Sequence, residues 1–188
     1  VIGNPPYSIG QKSANDNAQN QSYPKLEKRI AETYVAQSKA QDKAVNVKAL
    51  YDSYIKAFRW ASDRLDKNGG IICFVSNGGW LGGNAAAGFR KCLEKEFSAV
   101  YVFDLRGNQR TSGELSRKEG GKIFGSGSRT PVAVTLLVKN PNKTTDKAAI
   151  HYRDIGDYLT LKEKLATLIQ FRSVANPQME WTTLTPNE

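Results

Sequence analysis

The residues best suited to chemistry stand near the start of the chain, in the tetrapeptide Asn4-Pro5-Pro6-Tyr7. An apolar pair before it is typical of a strand end, and two prolines continue neither a helix nor a strand ladder, so they predict a rigid turn. The Asn4 side-chain oxygen and the Pro5 carbonyl can then both accept hydrogen bonds from one exocyclic amino group. That arrangement aims the nitrogen lone pair at an electrophile such as a sulfonium methyl, and Tyr7 offers a ring on which a base can stack. The alternative is a purely structural turn with Tyr7 in the core.

A basic segment, residues 106–129, is the second candidate. Its Gly, Ser, Thr and Asn content predicts an exposed loop, and its six cations outnumber its two glutamates. The whole chain carries a formal net charge of +9, which favours a polyanionic partner such as nucleic acid. The predicted phosphate contacts are Arg106, Arg110, Arg117, Lys118, Lys122 and Arg129. Lys12, in the loop after the tetrapeptide, is also predicted to contact the nucleic acid, by helping to close over the base. The alternative is a solvated surface loop with no binding role.

Alternating helices and strands predict the scaffold that positions these residues. Apolar side chains from Val47 to Leu65 recur every three or four residues, which is typical of an amphipathic helix, with Asn46 as its N-cap. An apolar run over 71–75 is typical of a strand buried on both faces, and a helix over about 85–96 and a strand over 99–105 follow. This order, with short Gly-rich joints, favours a parallel α/β sheet. A polar helix over about 26–43, strands over 132–138 and 149–152, and a helix over about 158–171 complete the prediction.

Composition excludes several other classes. With 188 residues, 39% hydrophobic and 24% charged, the chain has an ordinary globular composition. No apolar stretch approaches the roughly 18 residues that cross a bilayer. Cys73 and Cys92, with His151 as the one histidine, lack the spacing of a zinc site or a disulfide framework, so we expect no metal and a cytoplasmic location. Two residues stay open: Trp80 either packs or stacks, and Asp52 belongs either to a helix surface or to a pocket.

The tetrapeptide resembles the motif of the adenine-N6 DNA methyltransferases, (Asp/Asn/Ser)-Pro-Pro-(Tyr/Phe/Trp), here within the run Val1 to Tyr7. The resemblance extends over about residues 1–140, through segments 50–54, 69–77 and 130–138. Residues 104–110 and 125–129 are similar to large single-chain restriction–modification proteins that also carry nuclease and helicase modules. The resemblance implies a partial Rossmann-like class I methyltransferase fold, a mixed sheet with an antiparallel final hairpin strand.

The resemblance also implies a function. S-adenosylmethionine is the expected methyl donor, and double-stranded DNA with a flipped adenine is the expected partner. Asn4 and the Pro5 carbonyl would bind N6, Pro6 would hold the turn rigid, and Tyr7 would stack on the base. The Gly-rich loop that binds the cofactor is expected upstream of Val1. Two alternatives stay open: a non-catalytic nucleic-acid-binding module, and a methyltransferase that acts on RNA or on a protein glutamine.

The chain opens without Met, so we expect an internal or C-terminal piece of a longer polypeptide, incomplete and inactive when isolated. Residues 1–155 are predicted to form the catalytic half of a methyltransferase domain. Residues 156–188 are predicted to form a C-terminal helix and a tail that links to a target-recognition region.

Overall fold

A computed structural model describes residues 1–6, 22–125 and 128–184 of the protein. Its six described strands form one mixed sheet in the order β1-β2-β4-β3-β5-β6. In chain order they are β1 (Ile2–Gly3), β2 (Gly70–Asn77), β3 (Ala99–Asp104), β4 (Val132–Lys139), β5 (Ala149–Asp154) and β6 (Thr182–Leu184). The described helices are α1 (Pro24–Ile30), α2 (Ala36–Gln41), α3 (Ser53–Ser62), α4 (Ala87–Glu96), α5 (Gly113–Glu119) and α6 (Leu161–Phe171).

Strand β4 lies between β2 and β3 and is antiparallel to both. Its apolar residues pair along the whole length of β2, with Cys73 opposite Leu136, and along β3, with Tyr101 opposite Leu136. The mixed sheet with an antiparallel strand, which the family resemblance implied, is therefore confirmed. The parallel sheet that the order of elements favoured is wrong at β4. The predicted burial of the 71–75 strand on both faces is wrong at Ile71, which is 51% exposed. Ile72 and Phe74 are buried on one face, and Cys73 and Val75 are half-buried on the other.

Helices α1 to α4 cover one face of the sheet. The predicted polar helix is confirmed as α1 and α2, which a π-helical turn (Ala31–Val35) joins. The predicted helix over 47–65 is broken: a 3-10 turn (Val47–Tyr51) ends at Asp52, whose extended ψ of 147° separates it from α3. Asn46 does cap this turn, since its side chain accepts a hydrogen bond from the Lys48 N–H.

The core on this face is aromatic at its centre. The Phe58 ring lies 5.0 Å from Phe74 and 5.2 Å from Phe89, measured between ring centroids. Close backbone contact joins α4 to α2, where the Gly88 N–H donates to the Ser38 hydroxyl at 2.8 Å. A Cβ at Gly88 would stand 2.0 Å from the Tyr34 carbonyl oxygen, so this crossing depends on the absence of a side chain.

The opposite face is covered by α6 and by residues that lead to β6. Phe103 and Val132 of the sheet pack with Phe171 and Met179 in a second buried cluster. The described part of 156–188 thus packs on the same sheet as the rest of the chain. None of the helices in the described ranges has the length and apolar character that a membrane span needs.

Candidate active site and nucleic-acid interface

Four strands bring their carboxyl ends to one edge of the sheet. β1 is parallel to β2, β3 is parallel to β5, and β4 is antiparallel to both β2 and β3, so β1, β2, β3 and β5 point the same way. Asn4 directly follows β1, and Asn77, Asp104 and Asp154 end the other three strands. The basic segment leaves β3 and enters β4 at this same edge. The structure therefore brings the tetrapeptide and the basic segment to the edge at which α/β sheets bind ligands.

The tetrapeptide is anchored by the strand before it. The Cys73 N–H donates to the Val1 carbonyl at 2.8 Å, and Gly3 is in register with Phe74. Pro5 is buried, whereas Asn4 and Pro6 are exposed. The structure therefore places Asn4 on the surface, directly after a strand that is anchored in the sheet. Tyr7, predicted to stack on a base, lies outside the described residues, as does Lys12.

Asp52 lies at the break between the 3-10 turn and α3 and is only 6% exposed, so it is not a helix-surface carboxylate. The turn that precedes it packs against residues 84–86, which follow the carboxyl end of β2, so Asp52 lies toward the same edge as Asn4. Burial, and then the nearby Asp52 charge, raise the pKa of the Tyr54 hydroxyl. Asp52 is therefore a buried acidic residue on the side of the sheet edge that carries Asn4.

Trp80 is a packing residue. It is 4% exposed, and its ring packs edge-on against Phe89 at 5.2 Å. The turn that carries it is fixed by Asn77, whose side chain accepts a hydrogen bond from the Gly79 N–H at 2.8 Å. Arg90 donates to the Trp80 carbonyl at 2.6 Å. A stacking role for this indole is excluded by its burial.

The basic segment is more ordered than predicted. Residues 113–119 form α5, so the prediction of a loop is wrong there; none of its side chains is buried, and no apolar periodicity could have marked the helix. Arg117 is 75% exposed at its side chain and pairs with Glu114 at 3.5 Å. Arg110 is exposed, and Arg129 donates to the Gln109 carbonyl at 2.9 Å.

The remaining three cations of the segment also contact partners within the protein. Arg106 donates to Asp154 at 2.8 Å and to Asp157, and its side chain is only 22% exposed. Lys118 lies 3.5 Å from Asp157, and Lys122 donates to the Gly125 carbonyl at 2.9 Å. The role of all these cations in binding phosphate stays a prediction.

Acidic residues at the ends of β3 and β5 were missed in the sequence. Asp104 accepts a hydrogen bond from the Tyr152 hydroxyl at 3.1 Å, and burial raises the pKa of its carboxyl. Asp154 holds Arg106. Both acids end an observed strand, whereas the predicted strands ran over 99–105 and 149–152, so the strand ends did not mark them. Across the described part of the chain, no three His, Cys, Asp or Glu side chains converge on a metal site.

The mixed sheet with its inserted antiparallel strand defines a methyltransferase-like fold. The chain belongs to the Eco57I restriction-modification methylase family, which matches residues 1–110. The predicted fold class and the predicted membership in a restriction–modification methylase family are therefore confirmed. The comparison with curated proteins gave no match.

Three solved structures are similar over nearly the whole chain. One is a nuclease-deletion mutant of the Type ISP restriction-modification enzyme LlaGI in complex with a DNA substrate mimic, with 51% identity, a TM-score of 0.87 and coverage of 100% of this chain and 14% of that one. The ATP-dependent Type ISP restriction-modification enzyme LlaBIII bound to DNA has 38% identity, a TM-score of 0.88 and coverage of 100% and 12%. The DrdV–DNA complex has 35% identity, a TM-score of 0.83 and coverage of 99% and 17%. The chain thus spans less than a fifth of the length of these proteins.

Proposed function

We propose that the chain is the catalytic part of a DNA methyltransferase that transfers the methyl group of S-adenosylmethionine to N6 of an adenine flipped out of the duplex. The observation that carries the proposal is the exposed Asn4 carboxamide beside the buried Pro5, at the edge that also carries the basic segment.

Attack of a neutral amine on a sulfonium methyl group depends on alignment of the two groups more than on a strong base. The Asn4 oxygen and the Pro5 carbonyl accept hydrogen bonds from the two N6–H groups, which turns the nitrogen lone pair toward the methyl group. As the N6–methyl bond forms, the donor's S–CH₃ bond breaks, S-adenosylhomocysteine leaves, and N6 releases one proton to solvent. Pro6 keeps the turn rigid, and Tyr7 stacks on the flipped base, a contact worth about 1–3 kcal/mol.

The distance between the two parts of the site fits a duplex. β1 and β3 are three strand positions apart in the sheet, which is about 14 Å at the usual strand spacing. That span corresponds to about four base pairs along DNA. Cations of the basic segment would therefore contact phosphates that flank the flipped base, where they set register without reading sequence.

DNA is favoured over RNA or protein by two observations. The net charge of +9 suits a polyanion rather than a glutamine side chain in a protein. The similar LlaGI, LlaBIII and DrdV structures are all described as bound to DNA or to a DNA mimic.

The test uses the full-length protein with labelled S-adenosylmethionine and unmethylated genomic DNA, followed by mass spectrometry of the nucleosides. We expect N6-methyladenine, and a loss of roughly 10²-fold or more in rate for Asn4→Ala with DNA affinity nearly intact. Asn84→Ala, at an exposed asparagine of the same edge, is the matched control and should keep the wild-type rate. Tyr7→Phe should keep most activity, whereas Tyr7→Ala should not. Methylcytosine as the product, methylation of RNA or protein alone, or near wild-type turnover by Asn4→Ala would each refute the proposal.

A further inference from the structure

Residues 154–164 connect β5 to α6 and contact the basic segment. We call these residues the support. Charged contacts join the two parts at the sheet edge. Asp154 and Asp157 both accept hydrogen bonds from Arg106, and Asp157 also lies 3.5 Å from Lys118. Asp157 thus contacts both the beginning of the segment and the end of α5.

Backbone hydrogen bonds join the same two parts. The Tyr158 N–H donates to the Lys118 carbonyl at 3.1 Å, and the Gly121 N–H donates to the Leu159 carbonyl at 2.8 Å. Gly120 has a φ of +65°, and a Cβ there would stand 2.2 Å from the Leu159 carbonyl oxygen. The approach is therefore too close for any side chain at this position.

A buried amine completes the attachment. Lys164 is 0% exposed, and its Nζ donates to the carbonyls of Leu105 and Glu119, both at 2.8 Å. Its two partners mark the start of the segment and the last residue of α5. The Lys164 ammonium group therefore links residues 105 and 119, which flank the first half of the basic segment, to α6. Burial lowers the pKa of this amine.

We propose that the support positions the DNA-contacting segment and that Asp157 is a positioning residue for DNA binding, acting through Arg106 and Lys118. This inference rests on the proposed function. For the removal of the Asp157 charge, it predicts a change in DNA affinity opposite to the one that charge repulsion alone would give. A carboxylate near DNA repels phosphate, so its removal should strengthen binding if charge alone matters. If Asp157 holds the cations in place, its removal should weaken binding.

The experiment measures the affinity of the full-length protein for a labelled random-sequence duplex by fluorescence anisotropy over a series of salt concentrations. We expect Asp157→Asn to weaken binding roughly tenfold and to reduce the slope of log affinity against log salt by about one to two units, as lost phosphate contacts do. Asp157→Glu, which keeps the charge, should retain the wild-type affinity and slope. Asp146→Asn is the matched control, because Asp146 is exposed and lies between β4 and β5 at the opposite edge of the sheet.

Hydrogen exchange separates a local effect from general damage. Asp157→Asn should accelerate exchange of amides in residues 113–121 and leave those of β2 and β4 unchanged. Three results would refute the positioning role of Asp157: stronger or unchanged DNA binding by Asp157→Asn, an equal loss of binding in Asp157→Glu, or unchanged exchange in 113–121. No DNA binding by the wild-type protein, or no effect of Arg110→Gln on the salt slope, would instead refute the proposed role of the basic segment.

Discussion

Replacing Gly88 by alanine should force two packed helices apart. The new Cβ would stand 2.0 Å from the Tyr34 carbonyl oxygen and 2.3 Å from the Ser38 nitrogen. Carbon–oxygen contacts normally begin near about 3.3 Å, so the backbones must separate by more than about 1 Å. The Gly88–Ser38 hydrogen bond of 2.8 Å does not survive such a shift.

The stability lost in Gly88→Ala is the sum of three contributions. Overpacking costs about 1–3 kcal/mol, and the lost hydrogen bond costs about 1 kcal/mol. The higher helix propensity of alanine recovers about 1 kcal/mol. We therefore expect Gly88→Ala to destabilise the contact of α4 with α2 by about 2 kcal/mol, although it improves the helix itself.

Hydrogen exchange of the full-length protein can measure this loss. Amides of 36–41 and 87–96 that exchange through opening of this contact should exchange roughly thirtyfold faster, because each 1.4 kcal/mol is about tenfold. Gly82→Ala is the matched control, since a Cβ at Gly82 meets nothing within 4 Å. Its exchange should stay close to that of the wild type. Equal protection in the two variants would show that the helices are not in backbone contact at Gly88.

Three further predictions concern other parts of the fold. Burial raises the pKa of the Cys92 thiol to about 11, so this cysteine should resist iodoacetamide at about pH 8 in the native protein; rapid labelling, detected by mass spectrometry, would contradict its burial. Burial acts to raise the pKa of Asp63, but Arg29 and Arg59 outweigh it and hold the pKa below its usual value. The stability from this carboxylate is therefore present above about pH 4 and lost as pH falls through the folded-state pKa, so Asp63→Asn should flatten the acid side of a plot of melting temperature against pH. Thr160 caps α6 by accepting from the Glu163 N–H, so Thr160→Ala should destabilise that helix end by about 1 kcal/mol and Thr160→Ser should not; identical amide exchange in the two variants would count against the cap.

The sequence predicted the elements whose burial follows a simple period. The apolar strand that became β4 and the inward residues of α4 were both readable from pattern. The break at Asp52 was not, because a 3-10 turn and an α-helix share contacts between residues three apart. Helix α5 buries none of its residues and so leaves no apolar pattern.

The candidate site was predictable only where its residues are close in the chain. The chemistry predicted for the tetrapeptide is contained in four consecutive positions, and its role stays a prediction. The partners of Arg106 lie 48 and 51 residues away, so pairing with them depends on the order of strands in the sheet. Lys164 is a similar case, because nothing near it in the sequence marks a lysine that is fully buried.

The central position of β4 has a consequence for how the protein acquires its structure. β2 and β3 make no ladder with each other, so the two α/β parts that they anchor share a sheet only after residues 132–139 have joined both. These pairings connect segments far apart in the chain, and such contacts form slowly. During synthesis, the pair of β1 and β2, whose first strand precedes Asn4, and the strand β3, which leads into the basic segment, can join one sheet only after β4 has been made. The candidate catalytic turn and the segment proposed to contact DNA therefore reach their relative positions in one step, rather than one after the other.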